Sequence, residues 1–302
     1  MRLLFVGVND WANIAHNLAR SLNLIEPDLA RVVIINRHPF GYREGDLEPD
    51  HKWLQRQDLL LLVNAGDGNY PLMDHTVGGL GVTPDAFIAL HTGSAYRNDP
   101  HRYEEEDAKR DSLFRVVGCS LLRFALGGPY ESITYPFLPA HGLAAAHPCD
   151  RSDELRVCHT PSSRLTKGTS LILEQDIEIS VVENVSHREC LEHRARHNVF
   201  VGQMNEEIGG FGVSALEAMA QGCVVLCDIR HVRPEVWDHL TPPPIIDVRT
   251  TNDLSRELEQ LQDPAYRRNL QGQSRAWSQQ NTSGEAVAKY WLNLVTKSLD
   301  GL

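Results

Sequence analysis

Short apolar runs alternate with helix-length stretches along most of the chain. In the first half the runs are RLLFVGV (2–8), RVVIIN (31–36), DLLLLVN (58–64), FIALHTG (87–93) and RVVGCS (115–120). Between the first two lies NIAHNLARSLN, whose apolar residues fall at helical spacing. Near-continuous apolar strands separated by helical segments predict a parallel sheet covered on both faces, because each strand is buried above and below.

The second half repeats the pattern with LRVCHTPS (155–162), IEISVVEN (177–184), NVFVGQM (198–204), CVVLCD (223–228) and PIIDVR (244–249). Between the halves, residues 139–154 (PAHGLAAAHPCDRSDE) are rich in Pro, Gly, Ala and charge. The pattern therefore predicts an α/β protein of two Rossmann-like, doubly wound domains, 1–150 and 151–302. The ligand is expected in a cleft between them, at the carboxyl ends of the strands. SGEAVAKYWLNLVTKSL (283–299) is expected to close the second domain as an amphipathic helix.

Composition narrows the class. The 302 residues are 42% hydrophobic and 23% charged, the balance of a soluble globular protein. No apolar run approaches the roughly 20 residues needed to span a bilayer. The opening MRLLFVGVND is too short an apolar run for a signal peptide, and the six cysteines are scattered without a Cys-x-x-Cys pair. A cytoplasmic protein with reduced cysteines is the expectation. The net charge is −11, with 13 basic and 19 acidic residues in 1–150 and 16 and 21 in 151–302. Neither half carries the basic surplus of a nucleic-acid binder.

Two segments carry candidate chemistry. In CHTPSSRLTKGTSLILE (158–174) a strand ends in polar residues and a helix begins near Lys167. Arg164 and Lys167, three apart, can enter one cleft, where a guanidinium fork and a mobile ammonium suit a diphosphate. In VFVGQMNEEIGGFGVSALEAMAQGCVVLC (199–227) a strand, a glycine-rich loop and a helix start offer free backbone N–H groups to an anion. Gly209, Gly210, Phe211, Gly212 and Val213 are the residues that offer them. Glu217, near the end of the helix's second turn, shares a face with Val213 and Ser214, where a carboxylate can accept from two vicinal hydroxyls.

Together these segments resemble the donor-binding domain of the GT-B-fold glycosyltransferases, in particular the retaining group classed as family 4. The resemblance covers roughly 155–230 and is only architectural over 1–150. It implies a metal-independent enzyme without a cofactor that moves a sugar from a nucleotide-diphosphate donor to a hydroxyl acceptor with retention. The acceptor class stays open between a glycan, a lipid-linked molecule, a small molecule and a modified nucleobase. Arg164 and Lys167 match the pair that holds the diphosphate, and Glu217 matches the second acid of the Glu-x7-Glu motif, which binds the ribose. The first acid belongs eight residues earlier, where this sequence has Gly209. Glu206, Glu207 or the loop's backbone N–H groups are the substitutes to weigh, and the backbone is favoured.

The acceptor side is assigned to the first half. His91 ends a strand and is placed as a catalytic group that accepts a proton or hydrogen-bonds the donor sugar. Ser94, Tyr96 and Arg97 follow in the same loop, and Asp10 and Asn13 lie in the first strand-to-helix turn. HRARH (193–197) has the i, i+4 spacing of a metal pair but reads as a solvated face. A nicotinamide-dependent oxidoreductase requires Gly-x-Gly-x-x-Gly after the first strand, and GVNDWA does not supply it. A nucleotide-sugar-binding protein without catalysis is the other alternative, motivated by Gly209.

Overall fold

The computed structural model describes residues 1–42, 45–66, 70–91, 93–118, 132–135, 142–232 and 241–300. The strands are β1 (Arg2–Asn9), β2 (Ala30–Asn36), β3 (Leu60–Gly66), β4 (Ala86–His91), β5 (Phe114–Gly118), β6 (Ser132–Tyr135), β7 (Val157–His159), β8 (Ile179–Val181), β9 (Val199–Val201), β10 (Val224–Cys227) and β11 (Ile245–Asp247). They form a six-stranded sheet in the order β2-β1-β3-β4-β5-β6 and a five-stranded sheet in the order β11-β10-β9-β7-β8. Every pairing is parallel. The two doubly wound sheets are thus as the apolar runs predict, with β6 in addition.

The chain folds into two compact units, Met1–Pro139 with Gly284–Leu302, and Ala140–Ser283. This differs from the expected division at 150/151, and the last helix belongs to the other unit. Helix Gly284–Asp300 buries Val287, Ala288, Trp291 and Val295. Trp291 packs on Phe5 of β1 and Phe114 of β5, with ring centroids 6.3 and 6.5 Å apart. An amphipathic pattern shows that a helix covers a core, not which core it covers.

In the second unit, Val157, Val199, Val201, Val224 and Leu226 form one apolar core with Leu254, Leu258 and Leu261 from the helix Thr251–Gln260 and its end. The strand order reverses between β7 and β9, so the strand ends diverge there and leave a crevice at their carboxyl ends. β7 runs into residues 160–168, and β9 runs into the glycine-rich loop. Both chemical segments therefore meet at this switch point. The five cysteines among the described residues are free, and four of them are buried. Cys119 lies outside the described residues.

Candidate anion site at the second switch point

His159 sets the frame of the crevice. Its Nδ1 lies 2.7 Å from the Val201 carbonyl oxygen and its Nε2 lies 2.9 Å from Thr169 Oγ1. It thereby joins β7, β9 and the short helix Thr169–Ile172. Burial pushes the imidazole down to about 4, so it is neutral near pH 7.

After His159, Ser163 caps the turn Arg164–Lys167 by accepting from the Thr166 N–H. Gly168 ends that turn at φ +65°, and a β-carbon there would stand 1.7 Å from the Met204 carbonyl oxygen. Only glycine allows this approach. The Met204 N–H donates to the Lys167 carbonyl (3.0 Å), and Asn205 Nδ2 donates to the carbonyls of Leu165 (3.2 Å) and Thr166 (3.1 Å). The turn and the loop after β9 are stitched into one surface.

Lys167 occupies the middle of that surface. Its Nζ donates to Gln203 Oε1 at 3.0 Å, and the Gln203 amide donates in turn to the Gly210 carbonyl. A β-carbon on Gly212 would lie 3.8 Å from this ammonium. Gly212 is the N-cap of helix Val213–Gln221, which has no side-chain cap and no acid in its first turn. The first N–H groups of a helix have no intrahelical partner and carry partial positive charge. An ammonium beside uncapped helix amides at a switch point is suited to a phosphate-bearing ligand.

The structure brings the other predicted residues to varied places. Arg164 is 57% exposed and grips Glu183 with Nε and Nη2 at 2.8–3.0 Å. It thus has a partner different from that of Lys167. Phe211 is buried, and Gly210 engages Gln203. Glu206 is 84% exposed, near Arg230 at 3.3 Å, and Glu207 is exposed.

Gly209 adopts φ +44°, and the space beside it is filled. A β-carbon there would come within 2.3 Å of His231 Cδ2 and 2.9 Å of Arg230 Cγ. His231 is fixed by its backbone N–H to the Gly209 carbonyl (3.0 Å) and by Nε2 to the Glu206 carbonyl (2.8 Å).

Glu217 corrects an expectation. It is 4% exposed and does not present an open carboxylate. His187 Nε2 lies 2.7 Å from one oxygen and Arg194 Nη2 2.6 Å from the other. Burial alone would raise this carboxyl, but the Arg194 charge and the His187 hydrogen bond together bring it down to about 2. Residues Ala215–Gln221 of the helix are all buried, so the face carrying Glu217 meets helix His187–Ala195. Arg194 also donates to the Ser214 carbonyl at 2.7 Å, which braces the helix start. The solvated reading of 193–197 is corrected with it, because Arg194 is buried and its guanidinium stands over Phe200.

The acceptor-side candidates lie in the first unit. Asp10 is buried and is a cap: its carboxylate accepts from the N–H groups of Ala15 (2.8 Å) and His16 (3.1 Å) and pairs with His16 Nδ1 at 2.7 Å. Asn13 is buried at φ +58° and donates to Asn17. His91 is fully buried beside Asp107, with Tyr96 stacked on it. Tyr96 donates to Glu104 at 3.0 Å. Ser94 and Arg97 lie in helix Gly93–Asn98. Among the described residues, no three His, Cys, Asp or Glu side chains cluster to hold a metal ion. No described helix is long and apolar enough to cross a membrane.

Sequence reasoning missed Gln203, His187, Arg194, His231 and Asp107. Only Arg194 left a signal, as a charged residue within a helix read as solvated.

Solved structures place this architecture. The chain aligns over its whole length with Anabaena Alr3699/HepE in complex with UDP, at 10% identity, TM-score 0.61 and full coverage of that chain. T4 phage BGT in complex with UDP and Mn2+ matches at 10% identity and TM-score 0.60, covering 99% of this chain and 100% of that one. The fold is GT-B. S. aureus TarM, in complex with fondaparinux, alpha-GlcNAc-glycerol and UDP, matches at 17% identity and TM-score 0.53 over 78% of this chain; the alignment spans 55% of TarM. At these identities the likeness to GT-B structures is one of fold. No protein-family model matches the sequence, and no curated protein matches it.

Proposed function

We propose that the protein is a glycosyltransferase that moves a sugar from a nucleotide-diphosphate donor to a hydroxyl acceptor. The observation that carries this reading is Lys167 Nζ beside the uncapped start of helix Val213–Gln221, at the β7/β9 switch point. In transfer the bond from the anomeric carbon to the phosphate oxygen breaks, and the diphosphate leaves with the electron pair. The acceptor oxygen forms the new bond, and its proton passes to the leaving phosphate. Lys167 and the helix amides neutralise the charge that grows on the diphosphate, the electrostatic term that is usually largest in such catalysis. Arg164 adds a second cation by exchanging Glu183 for phosphate. The first unit supplies the acceptor side, with His91 as its polar group. Retention follows the resemblance to family 4.

In this reading Glu217 braces the helix through Arg194 and Ser214 instead of taking the ribose. The backbone of 209–213 replaces the missing first acid. Lys167 and the amides also take the role of a metal, so a chelator is expected to leave transfer unchanged. Loss of transfer in chelator, restored by manganese, would overturn that part.

Gly209 also favours a second reading, a nucleotide-sugar-binding protein without transfer. The deciding experiment screens nucleotide sugars for thermal stabilisation and then assays the hit for release of nucleoside diphosphate. A donor at 100 times its Kd stabilises by about 2.7 kcal/mol. Binding without release of diphosphate, over a range of acceptors, supports the second reading. No stabilisation by any nucleotide sugar overturns both.

A further inference from the structure

His91 ends β4 with its ring enclosed. Tyr96 stacks on it at 4.5 Å between centroids, and Tyr103 meets it edge-on at 5.5 Å. Its Nε2 lies 2.7 Å from Asp107 Oδ2. The same carboxylate accepts from Tyr70 (2.6 Å, Oδ1) and from Arg115 Nε (2.9 Å, Oδ2). Arg115 continues to Glu104 at 3.2 Å, which accepts from Tyr96.

Three facts fix the proton on this imidazole. Asp107 already takes hydrogen bonds from the Tyr70 hydroxyl and from the Arg115 guanidinium, as an ionised carboxylate does. It is therefore ionised and can only accept, so the proton between the two groups belongs to His91 Nε2. A cationic ring would carry a buried Nδ1–H with no acceptor among the described residues, which disfavours it. The remaining nitrogen, Nδ1, is buried and has no hydrogen-bond partner among the described residues. Buried polar atoms without partners are rare in native structures and call for a ligand, a water or a catalytic use.

We propose that Asp107 is a positioning residue that fixes His91 as its Nε2–H tautomer and keeps the Nδ1 lone pair for a hydroxyl of the substrate. This rests on the glycosyltransferase reading only for the identity of the hydroxyl. Asp107, Tyr96 and Tyr103 meet the imidazole, and Arg115, Glu104 and Tyr70 stand behind them; together they bring two carboxylates and one guanidinium, and among the described residues no acceptor for Nδ1. In this tautomer Nδ1 can only accept, so its partner is a hydrogen-bond donor such as a hydroxyl.

The test reads the tautomer directly. Nitrogen NMR of the full chain labelled at histidine, with His91 assigned by the signal lost in His91→Gln, is expected to show one neutral Nε2–H tautomer at pH 7 without ligand. In Asp107→Asn the preference is expected to weaken, with Nδ1–H signal appearing. A wild-type ring protonated at Nδ1 overturns the proposal, and this spectrum decides even if Asp107→Asn does not fold. If a donor sugar is transferred, Asp107→Asn is expected to lower turnover by about 10-fold, the scale of one hydrogen bond to the substrate hydroxyl. Its donor Kd should stay within about two-fold, and its pH–rate profile should shift. Unchanged turnover with the tautomer as expected overturns the positioning role. A protein that transfers no sugar refutes the proposed function while the tautomer result still stands or falls by itself.

Discussion

The imidazole of His231 stands where a side chain at Gly209 would have to go, with Cδ2 2.3 Å from the β-carbon site. The gap in the acidic motif is thus closed by a neighbour. Gly209→Glu is expected to destabilise the protein, since φ +44° disfavours any β-carbon by about 1–2 kcal/mol and crowding adds about 1–3 kcal/mol. Urea unfolding measures it. Adding His231→Ala should recover the crowding part and leave the backbone part; no recovery would show that the ring is not the obstacle.

Lys167→Ala is expected to weaken nucleoside diphosphate binding by about 10- to 150-fold, the loss of a charge-assisted contact. Arg164→Ala should cost less, because Arg164 must first release Glu183. Calorimetric titration of both variants decides. An Arg164 effect larger than that of Lys167 would place the diphosphate nearer Glu183 than the helix start.

Glu217→Gln tests the buried cluster. Removing one partner of a buried pair leaves Arg194 uncompensated, at about 3–5 kcal/mol of unfolding free energy. Glu206→Gln, at an exposed carboxylate, should change stability by less than about 0.5 kcal/mol. Equal stabilities would mean that Glu217 is not the brace described above.

His159 gives the fold a pH dependence of definite sign. Its folded value of about 4 lies below the ordinary 6.5, so between these values the unfolded chain takes up a proton that the folded one refuses. Stability therefore rises with pH across this window, by at most about 1.4 kcal/mol per unit. Below about 4 both states are protonated and this dependence ends. Urea midpoints for wild type and His159→Gln, compared at pH 7 and pH 5, should converge toward the acid side. A parallel decline in both would remove His159 as the cause.

What the sequence revealed follows from local chemistry. Strands such as 31–36 and 198–204 were legible because strands buried on both faces read as apolar runs. The short β6, SITY, was not, because half of it is polar. Lys167 and the glycine-rich loop were legible as types in order along the chain. The pairing of Glu217 with Arg194 and His187 was not, since it joins residues 23 and 30 positions apart whose helical faces no local pattern fixes. The same holds for His91 and Asp107, 16 apart.

The assignment of helix Gly284–Asp300 to the first unit bears on the order of synthesis. Residues 1–139 leave the ribosome before 140–283, yet the helix that covers Phe5 and Phe114 with Trp291 is made after them. Between them lie the 144 residues of 140–283, which at roughly 5–20 residues per second take about 7–30 s to translate. For that interval the nascent first unit carries an uncovered apolar face beside β1 and β5. The second unit, continuous in sequence, can fold completely before the first is finished.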